Sequence, residues 1–542
     1  MSVESATVTF TRAITVAAGV FAPGHAGELT RFLPFDLVDA VLRETGRVQQ
    51  RERLLPSRVV VYFMIALGMF PHLGYTLVWG KMVSALLPLS LSSPSESALR
   101  QARRRVGTTP LRALFDVVAG PLARPDTPGV SYRGLRTVAF DGCSSFKSAD
   151  NQAQRDWLGK IRHRLGWAGY PQLMLMALVE TGTRGLLGVR FGRSGPGGET
   201  GYARRLLHLL TPDMLVLADR GFDGNAFLAE IAATGAQFLT RITSNRRPRV
   251  HTSLPDGSYL TRFDDLPLRV IEATITTTAI DGTTINARYR LATTLLDHHT
   301  HPATTLMRLY HERWEIESAF YALKHTLFTG RVLRSGSPSG LQQELWALLT
   351  LYQMIRAAIV EAAEHLPGTD PDRSSFTNAL EHARNQVINA TGILPAHNEP
   401  TLIGTASGNT MPARRDRISE RKVKCPTSRH ARKSDNDPRP ATSTPITSRT
   451  YTIHTRTHTP QPTTRPHRRK PLGPLTHTIL NYLKNTPDQP RNIRDIAEHT
   501  NLDYRKARNK LHDMFKHGYI TRPHRGHFTA SPPRATTTDQ NP

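Results

Sequence analysis

The chain has 542 residues, 70 Lys and Arg against 44 Asp and Glu, a formal net charge of +26, and only two cysteines. That length allows several domains and a sizeable core, and the positive balance favours a polyanionic partner. Cys143 and Cys425 lie far apart, which excludes a disulfide framework and a cysteine zinc finger and suits a reducing cytoplasm.

From about residue 13 to 123 the chain reads helical. FDLVDAVLRETGR, RVVVYFMIALGMF and LGYTLVWGKMVSALL carry helical apolar spacing, broken at Pro56 and Pro71. The run Val59 to Phe70 is too short to span a bilayer, and ITVAAGVFA, with Glu4 and a single Arg12 before it, makes a poor leader. Arg100, Arg103, Arg104 and Arg105 are then packed together, which suits a phosphate contact and a solvated helix face equally.

Val138 to Phe140 form an apolar run ending on Asp141 and then Gly142, which predicts a buried strand stopping at a turn. YPQLMLMALVET and GLLGVRFG predict two more strands. GRSGPGGETG lacks the Gly-Lys-Ser/Thr ending of a phosphate loop and reads as a strand-to-helix connection. A helix over Tyr202 to Leu210 follows, then an apolar run, Met214 to Ala218, ending on Asp219. Asn225 to Ala233 reads as a helix and AQFLTRI as a strand. A carboxylate at the end of a buried strand is costly to desolvate unless it binds something, which singles out Asp141 and Asp219. Asp150, Asp213 and Asp223 lack that setting.

Residues from about 245 to 296 alternate in β-branched types, with a hairpin turn at Asp281-Gly282. His298, His299 and His301 have no cysteine or acidic partner at a metal-site spacing and read as a solvated loop. In LYHERWEIESAFYALKHTL, helical geometry puts Tyr310, Arg313, Glu317 and Lys324 within an arc of roughly 60°. Leu309, Ile316, Phe320, Leu323 and Leu327 make the apolar stripe beside it. Such a stripe is either an ion-paired border or a place where Glu317 binds a hard cation while Arg313 and Lys324 hold phosphate oxygens.

Gln342 to Ala363 and Asp372 to Ala390 read as supporting helices. Residues 405–471 shift to Thr, Pro, Arg and His; Met411 to Lys470 hold 16 Arg and Lys against 4 Asp and Glu, which predicts a disordered basic linker able to lie along DNA. From 472 to 530, three short helices carry Ile479, Leu483, Ile493, Ile496, Ala497, Leu502, Leu511, Met514 and Phe515 facing inward. With Gly518 as a cap, a strand at Tyr519-Ile520 and a basic turn over Arg522 to His527, the segment resembles a winged helix-turn-helix. Arg505, Lys506, Arg508, Asn509 and His512 would then face a major groove and Arg525 the backbone; a small dimerisation module is the other reading.

Tyr-x2-Arg-x3-Glu-x6-Lys at Tyr310, Arg313, Glu317 and Lys324 resembles the signature of DDE transposases of the insertion-sequence-four family. FDG around Asp141 and DRGF around Asp219 resemble that family's first and second acidic motifs. The resemblance implies an RNase H-like α/β catalytic domain over 130–395 with a β-rich insertion, behind an all-α end-binding domain over 13–123. It implies Asp141, Asp219 and Glu317 as ligands of two Mg²⁺ or Mn²⁺ ions. Tyr310, Arg313 and Lys324 would sit against phosphates at the scissile bond. Some relatives hold a flipped base on an aromatic residue of the insertion; with no tryptophan there, Phe238, Tyr259, Phe263 and Tyr289 receive no such role. The implied activity is cut-and-paste transposition of the element's own DNA, by a dimer or higher oligomer on double-stranded transposon ends and target. A hairpin intermediate is plausible by the same resemblance. The expected location is the bacterial cytoplasm, at the nucleoid. Two rivals share parts of this pattern: a structure-specific nuclease of the same core, and a silent transposase serving as a DNA-binding regulator.

Overall fold

The computed structural model describes residues 15–16, 19–20, 24–51, 53, 55–89, 93–163, 166–195, 197–366, 368–391, 417–418, 443–456, 473–486, 489–516, 519–524 and 526–530. The chain forms two compact units, Met1–Thr459 and Pro460–Pro542.

The first unit opens with helices α1 (Phe35–Glu44), α2 (Ser57–Met69), α3 (Tyr75–Val83), α4 (Glu96–Val106) and α5 (Thr109–Val118). Pro56 precedes α2 and Pro71 follows it, as expected of a residue that cannot donate inside a helix. The core sheet follows: β1 (Leu135–Ser148), β2 (Gln172–Glu180), β3 (Leu186–Arg193), β4 (Met214–Ala218) and β5 (Gln237–Arg241). Their spatial order is β3-β2-β1-β4-β5. β1, β3, β4 and β5 run in one direction, and β2 alone is antiparallel to them. Helices α6 (Gly198–Arg204) and α7 (Asn225–Ala233) lie in the connections on either side of β4.

Alternation along the strands builds two apolar layers. Ala139, Leu215 and Leu217 join the layer shared with the N-terminal helices; Val138, Phe140 and Val216 join the layer holding Leu206 and Phe227. β2 is buried at every position, the pattern of a strand covered on both faces. Contrary to the expected stop at Gly142, β1 continues to Ser148 by pairing with β2, with a register shift between Cys143 and Phe146. What ends early is its pairing with β4, whose last partners are Ala139 and Leu217.

The insertion is a continuation of the sheet. β6 (Tyr259–Phe263), β7 (Leu266–Ala279) and β8 (Thr284–Thr293) form a meander, and β8 pairs antiparallel with β5. Gly282 takes φ 82° in the predicted Asp281-Gly282 turn, a conformation that favours glycine. Helices α8 (Ala303–Leu309) and α9 (Glu315–Tyr321) flank a 3₁₀ turn, Tyr310–Trp314, and a π turn, Ala322–Leu327, follows. α10 (Pro338–Glu364) and α11 (Phe376–Asn389) follow. α10 has the length and composition of a membrane span, yet 89% of its apolar window is buried inside the fold. It packs against α2 and α5, and the N-terminal helices and the sheet lie within the first compact unit.

Part of the expected linker is folded. Thr444–Ile453 forms β9, which pairs antiparallel with β7 from Ala273 to Ala279. Bulk composition hid it, but TPITSRTYTI is rich in β-branched residues, and its pairing satisfies an otherwise open sheet edge.

The second unit contains α12 (Pro474–Lys484), α13 (Ile493–His499) and α14 (Tyr504–Lys516). Strands β10 (Arg491–Asn492), β11 (Ile520–His524) and β12 (His527–Ala530) pair in the order β10-β12-β11. Ile479, Leu483, Ile496, Leu511 and Met514 are buried as predicted. Phe515, expected inside, is exposed at 44%, because Leu511 and Met514 already fill that face of α14. Gly518 and Arg525 lie outside the described residues.

Candidate active site

Where β1 and β4 part, two aspartates stand at the same edge of the sheet. Asp219 directly follows β4 and caps the short turn Arg220–Phe222, accepting from the Gly221 N–H at 2.7 Å. Asp141 lies two residues beyond the last β1–β4 pair and accepts from the Gly142 N–H at 2.9 Å. Burial pushes the Asp141 carboxyl up to about 7; Arg313 and the Gly142 N–H oppose this, and Glu317 and Glu199 add to it. Those influences put Arg313, Glu317 and Glu199 around Asp141.

Glu317 comes from α9 and is exposed, with Arg313 one turn earlier at 3.6 Å. Arg313 itself is buried beside Trp314, and its Nε has no hydrogen-bond partner. Lys324 is half-buried in the π turn. The 3₁₀ and π turns break the uniform 100° step assumed for the four-residue stripe, so its members do not share one environment. Tyr310 is the clearest departure. It is buried, with its hydroxyl donating to the Ala218 carbonyl at 3.0 Å, so it braces the end of β4 where a phosphate contact was expected.

Glu199 was missed in the sequence, where GRSGPGGETG reads only as a connection. α6 carries its carboxylate over Gly142, where an added Cβ would lie 2.6 Å from Glu199 Oε1. Burial and then Asp219 hold Glu199 above the usual carboxylate range. The signal available was an acidic residue at the start of a helix between the two aspartate strands. Four carboxylates thus face this edge with Arg313 among them. All offer hard oxygen donors, although among the described residues no three acidic or histidine side chains are gathered closely enough to hold an ion.

Arg241 lies over the Tyr289 ring at 3.9 Å, and Phe238, Tyr259 and Phe263 are buried in the sheet. In the second unit, Arg505, Lys506, Arg508, Asn509 and His512 are all exposed on α14, and Arg508, Asn509 and His512 line one concavity with Arg522.

The profile of the family described as insertion element 4 transposase N-terminal matches residues 23–116, and that described as transposase DDE domain matches residues 137–354. The chain belongs to the insertion element 4 family of DDE transposases. Transposase InsG for insertion sequence element IS4 of Escherichia coli (strain K12) is 25% identical over 404 residues, covering 72% of this chain and 90% of its own. A cryo-EM structure of the piggyBac transposase synaptic complex with hairpin DNA aligns at a TM-score of 0.34 and 11% identity, over 75% of this chain and 85% of that one. Both acidic strands, Glu199 and Glu317 fall inside the DDE match; neither profile extends past residue 354.

Proposed function

We propose that this DDE transposase cuts and joins DNA at the edge formed by Asp141, Asp219 and Glu317. The observation that carries this is the convergence of Asp141 and Asp219, where the parallel strands β1 and β4 part, with a helical glutamate paired to Arg313. An RNase H-like core is supported by the order β3-β2-β1-β4-β5 with only β2 antiparallel to the other four.

Asp141, Asp219 and Glu317 are the proposed ligands of divalent ions, two Mg²⁺ or Mn²⁺ by the family pattern, with Glu199 beside them. When bound, such ions acidify water or a 3′-hydroxyl and neutralise charge on the leaving oxygen. The protein's own part is positional. Tyr310 fixes the β4 end from which Asp219 projects, and Arg313 holds Glu317 and counters the carboxylates in the free site. Lys324 and Arg313 are the proposed phosphate partners. In-line attack needs the DNA held rigidly at this edge, which is the work of charged side chains more than of covalent chemistry.

The second unit is proposed as a winged helix. Three helices, a three-stranded sheet and exposed Arg505, Lys506, Arg508 and Asn509 on the third helix support it. Action on two transposon ends implies at least a homodimer on double-stranded DNA, within the bacterial cytoplasm.

The test is cleavage of labelled element-end DNA with Mg²⁺ by the wild type and Asp219→Ala. Nicking that requires both metal and Asp219 is expected. End binding without nicking in either protein would instead favour the regulator.

A further inference from the structure

The described residues hold a second concentration of charge, opposite in sign, about which the catalytic edge says nothing. Between the N-terminal helices and the start of α10 runs a groove of about 1280 Å³. Six arginines line it, Arg47, Arg100, Arg103, Arg104, Arg331 and Arg334, against only Glu96 and Glu344.

These cations divide into three sets. Arg103 and Arg334 are spent on structure. Arg103 is buried and donates to Gln343, Tyr75, Ser335 and the Gly340 carbonyl. Arg334 donates to the carbonyls of Leu73 and Pro71 and pairs with Glu344. Arg100 is exposed and pairs with Glu96 at 2.5 Å. Arg47, Arg104 and Arg331 are exposed and have no carboxylate partner among the described residues, although they come from three separate segments. An ordinary solvated helix face scatters its charge outward; here three segments turn unpaired arginines into one concavity. The first turn of the 27-residue α10 opens on the same groove through Ser337, Ser339 and Gly340, adding the positive end of a long helix dipole.

The sheet fixes how far this groove lies from the carboxylates. Val332–Leu333, between Arg331 and Arg334, pairs in parallel with Lys147 and Ser148 at the end of β1. Asp141 is earlier on that strand, at roughly 3.3 Å per residue and so about 20 Å away. A nucleic-acid strand advances about 3.4 Å per phosphate. We propose that this groove holds the DNA phosphate backbone roughly six nucleotides from the phosphate being cut, as a sequence-independent second grip on the same duplex. The proposal rests on the transposase reading and adds a contact that involves both the N-terminal helices and the segment after the catalytic helix.

The experiment uses full-length protein and a labelled element-end duplex titrated at several salt concentrations. Arg47→Ala/Arg104→Ala/Arg331→Ala should bind more weakly, and its log affinity against log salt should flatten by about 2 to 3, near 0.9 per lost phosphate contact. Neutral methylphosphonates stepped along the duplex should weaken the wild type most about six nucleotides from the cut, and the triple variant least there. Arg331→Glu alone should weaken binding further than Arg331→Ala. An unchanged slope with unchanged melting temperature, or a phosphate scan identical in both proteins, would overturn the proposal. Nicking that depends on Asp219 is read separately, so loss of the groove and loss of the enzyme reading give different results.

Discussion

Arg136 and Glu180 meet in the interior, where the arginine also donates to the Ala123 carbonyl and Glu180 accepts from Thr183. Arg184 with Glu315 at 2.6 Å repeats the arrangement, and Arg269 with Asp256 is a third case. In each, a buried cation faces a carboxylate and the remaining polar atoms find partners. The edge at Asp141 is built the other way. There Glu199 and Glu317 crowd a half-buried aspartate, Arg313 answers them with its Nε unsatisfied, and the Asp141 carboxyl is pushed up to about 7. Clustered carboxylates of like charge do not serve stability, and such clusters mark functional sites. Matched pairs hold the fold together, and the carboxylate cluster is where a cation and a phosphate would complete the balance.

Four substitutions can break that contrast. Glu317→Gln removes a proposed ligand charge with little change of shape, and should keep DNA binding while cleavage falls by roughly 10³-fold or more, the equivalent of several kcal/mol at the transition state. Cleavage at the wild-type rate would remove Glu317 from the site. Arg136→Ala leaves Glu180 buried without its cation and should cost about 3–5 kcal/mol in urea unfolding. A cost of a few tenths would mean that the interior pairs are not the structural counterpart argued for here. Glu199→Gln should weaken Mn²⁺ binding, followed calorimetrically, by roughly 10-fold or somewhat more, as for a group that supports metal ligands. Equal Mn²⁺ affinity would leave Glu199 a bystander that merely packs on Gly142. Tyr310→Phe is the smallest change. Loss of the hydroxyl bond to Ala218 should cost about 1 kcal/mol of stability, with affinity for DNA in the absence of metal unaltered. A clear drop in that affinity would restore Tyr310 as a phosphate contact.

Much of this was legible from local pattern. Strands β1 to β5, the insertion with its Asp281-Gly282 turn and the helices of the second unit follow from hydrophobic period and turn chemistry. Asp141, Asp219 and Glu317 stood out by setting and motif, and they reach one edge of the sheet. β9 escaped because the average composition of residues 405–471 hid a ten-residue β-branched run whose partner strand lies far away in sequence. Glu199 escaped because a glycine-rich connection gives no hint of what it will be folded against.

The sequence by itself determined the family and the element types and singled out Asp141, Asp219 and Glu317 as candidates, since each depends on residue identities at short spacing. Only the tertiary structure decided what those side chains do with one another. Tyr310 turned inward because the Ala218 carbonyl at the β4 end was within its reach, and 3₁₀ and π turns rotated its neighbours out of a common face. Glu199 came to lie over Gly142 beside Asp141, and arginines from three distant segments came to line one groove, because sheet pairing and helix packing bring together residues that no local period relates.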